Sequence, residues 1–271
     1  MKSDTRLLYG GHEMPVTHLR SVQKSMSEAE WKTRCDLAAL YRILHKLRWT
    51  DLIYTHMSAR VPGEPEHFLI NNFGEMFDEV TASSLVKLDF DGKVRDNHAL
   101  EQVNNAGFVI HSAVYMARPD VHCVLHLHTR ASIAVSAQKH GLLPLSQHSM
   151  MVLGSLAYHE YNIAAGRLEE REALGKDCAK GDAVMLRNHG TLAMGCSIPN
   201  AFERMYYLET SCQIQVEAMS CGQELVMIDQ DVLQRGVVRA EARFKDPAAG
   251  QRVWESMLRM LDRDGVDDYR R

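Results

Sequence analysis

Two histidines, His126 and His128, lie in the short apolar run Val124-Leu125-His126-Leu127-His128-Thr129. Successive side chains of a strand point to opposite faces, so these two imidazoles share one face, while Cys123, Leu125 and Leu127 turn the other way into a core. Side by side on a rigid strand they make half of a metal site. A third histidine, His189, ends a second apolar run, in Leu186-Arg187-Asn188-His189-Gly190. Three neutral imidazoles and one open position form the ligand set expected of a catalytic zinc. Nickel, cobalt, manganese and iron also accept imidazole. A lone histidine is more often a surface or satisfied core residue. The paired histidines, with a third at another strand end, favour ligation.

The elements needed to carry this set can be read from periodicity. Ser27-Glu28-Ala29-Glu30 has a serine N-cap with a glutamate three residues later, and Trp31, Cys35, Ala38, Tyr41 and His45 follow at helical spacing to about residue 47. Asp51 to Val61 alternates loosely as a strand, and Pro62-Gly63-Glu64-Pro65 breaks it. His67 to Asn71 is a second strand. Leu85 to Phe90 alternates strictly, and Asp91-Gly92 turns it into a hairpin with Lys93-Val94-Arg95. A helical period from about 101 to 117 precedes the two-histidine strand. Thr129 to Lys139 is helix-forming, 149 to 158 reads as a strand, and 169 to 179 as a charged helix. Two strands, 183–187 and 191–195, bracket His189. A long helix from Pro199 carries Met205, Leu208, Cys212, Val216 and Met219, with Gly222 near its end. Helices and short strands alternate, and the hairpin means the sheet is not purely parallel.

The 271 residues divide into an N-terminal extension (1–26), a main domain (27–225) and a charged helical tail (226–271) whose Trp254, Met257 and Leu261 suit packing on a neighbouring subunit. The composition, 45% hydrophobic and 24% charged, is that of a globular chain, and a net charge of −4 without a Lys/Arg block gives no basis for nucleic-acid binding. Of 14 histidines, four fall between 111 and 128, so the enrichment is local. Six cysteines without a CxxC pair read as reduced thiols of a cytoplasmic protein. No signal peptide and no membrane-spanning stretch are expected.

The two-histidine strand together with Arg187-Asn188-His189-Gly190 resembles the class II aldolase/adducin family. The resemblance runs from about 26 to 222 and is closest to the adducin branch, through Ile53-Tyr54-Thr55-His56, Glu66-His67-Phe68-Leu69-Ile70, Glu79 to Lys87, Asn104-Asn105-Ala106-Gly107-Phe108, Tyr115 to Val121 and Gly141-Leu142-Leu143-Pro144. It implies an α/β fold, three-layer α/β/α with a mixed, mostly antiparallel central sheet. It also implies a homotetramer with metal sites near subunit interfaces and a small-molecule substrate. His126, His128 and His189 fall where the family's zinc histidines lie. There the metal acts as a Lewis acid in cleaving a carbon–carbon bond of a ketose, and a positioned acid or base moves protons.

Departures from that pattern are specific. The acidic residue that the aldolases place early in the preceding helix, as fourth ligand and proton shuttle, corresponds to Gly107. The hydroxyl-rich phosphate loop corresponds to Asn71-Asn72-Phe73-Gly74, and the serine pair before the acid to Asn105-Ala106. The tyrosine acid of some members falls near His148, whose unperturbed pKa suits an acid or base. Candidate substitutes for the missing acid are Glu101, Glu75 and Glu160. Arg130 is placed to hold a substrate carboxylate, against the plain reading of a surface arginine. His111, one turn after Gly107, is a supporting or structural residue.

Two functions from different classes follow. One is a zinc-dependent aldehyde-lyase performing retro-aldol or enolate chemistry on a small hydroxy-carbonyl or sugar-like substrate, with His148 and Glu101 as catalytic candidates. The other is an adducin-like, non-catalytic oligomeric binding protein with a degenerate metal site. No lysine-rich extension follows Tyr269-Arg270-Arg271, so an actin-type partner is not expected. A weaker variant keeps the metal and changes the reaction to epimerisation or oxidation.

Overall fold

The computed structural model describes residues 7–9, 12–14, 26–95, 103–160 and 170–271. Strands β1 (Leu7–Tyr9) and β2 (His12–Met14) form a small antiparallel pair. Among the described residues the main sheet has seven strands: β3 (His56–Val61), β4 (Glu64–Ile70), β5 (Val86–Asp89), β6 (Cys123–Leu127), β7 (Leu156–His159), β8 (Ala183–Leu186) and β9 (Gly190–Gly195). Their order across the sheet is β5-β4-β3-β6-β9-β8-β7. Every neighbouring pair is antiparallel except β7 and β8, which are parallel. The expected mixed, mostly antiparallel sheet is therefore present, with the two-histidine strand β6 at its centre.

Among the described residues eight α-helices surround it: α1 (Glu28–Lys46), α2 (Asn105–Ala117), α3 (Arg130–Ser136), α4 (Gln147–Leu153), α5 (Glu170–Cys178), α6 (Ile198–Ser220), α7 (Gln230–Phe244) and α8 (Gln251–Arg263). Side-chain parity along β6 separates two cores. Cys123, Leu125 and Leu127 join Leu37, Ile43, Phe202, Met205 and Leu208 of α1 and α6 on one face. Val124 joins Val109, Val114 and Leu174 of α2 and α5 on the other. The result is three layers.

Parity also decides what His126 meets. Directly opposed residues of antiparallel strands lie on the same face. His126 opposes His56 and Val124 opposes Ser58, so β3 sends His56, Ser58 and Arg60 toward α2. These polar groups are buried.

Three expectations are corrected. Residues 149–158 are not one strand: α4 occupies the first part, started by a reciprocal capping box in which Ser146 Oγ accepts from Ser149 N and Ser149 Oγ from Ser146 N. The strand is only β7. Asp51–Val61 begins as an irregular turn, because Leu52 and Thr55 have φ of 51° and 68°, and pairing starts at His56. The Asp91-Gly92 turn, by contrast, is as expected: Leu88 bridges Val94, and Arg95 N donates to Lys87 O at 2.8 Å. The charged tail forms two helices that pack on their own chain: Trp254, Leu261 and Tyr269 lie in the same core as α1, and Ala82 N donates to Tyr269 O at 2.8 Å.

Candidate metal centre

His126 and His128 are brought together by the β6 pleat, and His189 by the turn between β8 and β9. Asn188 adopts φ 58°, a left-handed conformation that asparagine tolerates. Gly190 then opens β9 against β6 so closely that a Cβ there would stand 2.2 Å from the Leu127 carbonyl oxygen. This is the physical content of the Asn-His-Gly sequence: a reversal that delivers the imidazole, and a residue thin enough to dock its strand on the neighbour. Replacing Gly190 by alanine is expected to push β9 off β6 and cost about 1–3 kcal/mol of stability, read as a lower denaturation midpoint. The variant should also shift the His189 imidazole, which immediately precedes the displaced strand, away from His126 and His128.

The three Nε2 atoms converge. His128 Nε2 lies 2.9 Å from His126 Nε2 and 2.8 Å from His189 Nε2. The opposite nitrogens are occupied. His126 Nδ1 lies 3.0 Å from the Thr191 carbonyl oxygen, which can only accept, so this nitrogen carries the proton. His128 Nδ1 lies 3.1 Å from Asp51 Oδ2, another acceptor. Both rings therefore aim an Nε2 lone pair at the same point, and two lone pairs cannot hydrogen-bond each other. A cation placed between them resolves that contact, and carbonyl or carboxylate partners on the far nitrogen are the usual way a ligating ring is oriented. Among the described residues, this triad is the single group of three or more His, Cys, Asp or Glu residues with metal-holding spacing, its ligand atoms all lying within 4.8 Å of one another.

The electrostatics keep the rings in the ligating form. Burial first, and the neighbouring imidazoles second, hold His126 well below its ordinary pKa. Burial lowers His189 to about 4. Burial also lowers His128, while Asp51 opposes the shift. Beneath the site, Thr191 Oγ1 donates to Glu209 of α6 at 2.8 Å, and Thr129 Oγ1 also donates to that carboxyl. Glu209 is fully buried, and desolvation raises its pKa. It ties the residue after His128 to the residue two beyond His189.

His56, which sequence reasoning did not place in the site, stands against it. Its ring is 5.0 Å from that of His126, centroid to centroid, and is buried. His56 Nδ1 lies 2.7 Å from His111 Nε2. His111 Nδ1 contacts Ser58 Oγ, which lies 2.8 Å from the Tyr115 hydroxyl. A Cβ at Gly107 would lie 2.9 Å from His56 Cδ2. The position without an acid is thus filled by an imidazole from another element. Period-two polarity at His56, Ser58 and Arg60 was the available signal.

The other candidates lie elsewhere. The ring neighbours of His148, on α4, are Tyr206 and Tyr207, and the triad is not among them. Glu75 accepts from Ser84 Oγ at 2.9 Å. Glu160 is exposed, with its carboxylate 4.0 Å from Arg187 Nε. Arg130 is exposed at the start of α3. Glu101 lies outside the described residues.

Buried neutral imidazoles make the metal-free protein acid-labile. Burial lowers His111 to about 3 and His189 to about 4. The unfolded chain takes up their protons below about pH 6.5 while the folded chain does not. Stability is therefore full above that value and falls as pH drops toward 4, by up to about 1.4 kcal/mol per pH unit for each such group. Glu209, pushed upward, opposes this by one proton. Urea titrations of metal-free protein at pH 7, 6 and 5 should show the decline.

Residues 35–216 match the model of the class II aldolase and adducin N-terminal domain. The chain belongs to this family. An aldolase II superfamily protein from Pseudomonas syringae is 49% identical, with a TM-score of 0.87, and covers 93% of this chain and 100% of its own. Mouse alpha-adducin is 39% identical over 273 residues, spanning 94% of this chain but 36% of that protein. The L-fuculose 1-phosphate aldolase from Glaciozyma antarctica PI12 has a TM-score of 0.76 at 25% identity, over 90% of this chain and 93% of its own. The fold of this class II aldolase family member is thus the expected one. Among its described residues no helix is long and apolar enough to cross a membrane.

Proposed function

We propose that this protein is a lyase of the aldol type that holds one divalent metal, zinc by its ligand set, on His126, His128 and His189. It performs retro-aldol or enolate chemistry on a small hydroxy-carbonyl or sugar-like substrate. The observation that carries this reading is the convergence of the three Nε2 atoms while the Nδ1 atoms of His126 and His128 face acceptors. Likeness to an L-fuculose 1-phosphate aldolase supports the reaction class. When bound, the metal supplies Lewis-acid stabilisation of charge developing on the substrate. The chain orients the rings through Thr191 and Asp51 and keeps them neutral by burial.

The loop at Asn71 argues against a phosphate cradle of the aldolase kind. Asn71 is buried, its Oδ1 accepts from Tyr41 Oη at 2.7 Å, and its Nδ2 donates to Asn72 O at 3.3 Å. Its amide is already engaged within the fold. A homotetramer fits the exposed Leu52 and Tyr54 of the turn that begins at Asp51.

Elemental analysis is expected to find about one divalent metal per chain. No metal, even after zinc reconstitution, would sink the reading. The second reading, an adducin-like oligomeric binding protein, is favoured by Gly107, which has no acid to offer. Zinc-loaded protein that leaves a broad panel of hydroxy-aldehydes, ketoses and hydroxy-acids unchanged would select it.

A further inference from the structure

We infer that His56 takes the part of the missing acidic residue, as a fixed N–H donor aimed from β3 at substrate oxygen beside the histidine triad. The inference rests on the metal-centre reading above. Its first support is spatial. The His56 ring fills the volume at Gly107, with Nε2 3.2 Å from where a Cβ would stand. It also packs against the ring of His126. The group nearest the vacated side-chain position is therefore an imidazole edge rather than apolar filling.

The second support is the direction of a hydrogen-bond chain. Among the described residues the buried Tyr115 hydroxyl has Ser58 Oγ as its hydrogen-bond partner. A buried hydroxyl hydrogen left without an acceptor is costly, so Tyr115 donates to Ser58. Ser58 then has its own hydrogen free for His111 Nδ1. His111 must carry its proton on Nε2 and donate it to His56 Nδ1. That leaves His56 with its hydrogen on Nε2. Tyr115, Ser58 and His111 are positioning residues: they set the tautomer and hold the ring. His56 is built to donate a hydrogen bond, not to ligate through Nε2. The substrate class that suits it carries a carbonyl or carboxylate oxygen next to the oxygen bound at the triad.

The test uses the full chain loaded with zinc and, as probe, acetohydroxamate, a small ligand with two adjacent oxygens. Calorimetry should find that His56→Ala keeps its zinc but binds the probe about tenfold more weakly. His56→Gln, which retains an N–H at similar reach, should recover part of the loss. Long-range proton–nitrogen spectra of the histidine-labelled wild-type protein should show His56 with its proton on Nε2, and Tyr115→Phe should release that preference. Unchanged probe affinity in His56→Ala overturns the inference. So does loss of zinc from His56→Ala, or a wild-type His56 protonated on Nδ1, since either makes the residue a ligand. Wild-type protein that takes up no zinc overturns the metal-centre reading itself, and this inference with it.

Discussion

Replacing His126 by alanine is expected to strip the divalent metal from the protein, weakening its binding by more than about 100-fold. The scale comes from outer partners of metal-bound histidines, whose loss alone costs roughly 10–100-fold; removing a ligand costs more. His126 is the most buried of the three and sits on the central strand. Asp51→Ala provides the graded comparison. Asp51 touches only the far nitrogen of His128 and its side chain is 44% exposed, so its removal should weaken metal within the 10–100-fold range and leave the site loadable. Metal-to-protein ratios after dialysis against a buffered chelator distinguish the two. Equal retention by wild type, His126→Ala and Asp51→Ala would mean that the triad is not the site.

The contrast between these residues and His56 explains what the sequence could reveal. That His126 and His128 share a face was legible because a strand repeats every two residues, and their rings do converge. His189 was legible from its place between two strand-like runs. His56 escaped because the stretch before it is irregular. Positive φ at Leu52 and Thr55 breaks the alternation, and pairing begins only at His56 itself. Its placement against His126 and Gly107 depends on a partner strand and a helix distant in sequence, and local periodicity does not encode such contacts. Glu209 was hidden in the same way: it occupies a buried position of a helix read for its apolar stripe, and its acceptor role depends on Thr129 and Thr191 from two strand ends. The false strand at 149–158 has a different origin. A short apolar run has no decisive period, and the Ser146–Ser149 capping box decided for helix over its first part.

Gly107 offers the sharpest test of how the site is built, because the expected sign is the reverse of the usual one. In a helix, alanine normally stabilises by about 1 kcal/mol over glycine. Gly107 lies in the first turn of α2, and the imidazole of His56 fills the space a methyl group would need. The ring cannot swing aside cheaply, since His111 holds its Nδ1 and His126 lies against its face. Gly107→Ala is therefore expected to destabilise the metal-free protein by about 1–3 kcal/mol. In a His56→Ala background the same substitution should become neutral or stabilising, giving a coupling of comparable size between the two positions. Denaturant midpoints of the four metal-free proteins measure it, independently of zinc or turnover. A Gly107→Ala protein more stable than wild type, or one with the same penalty in both backgrounds, would show that His56 does not own the space the acid left. If the coupling is found, the two substitutions belong to one event: a carboxylate on α2 and an imidazole on β3 compete for a single volume, and this chain has settled it for the imidazole.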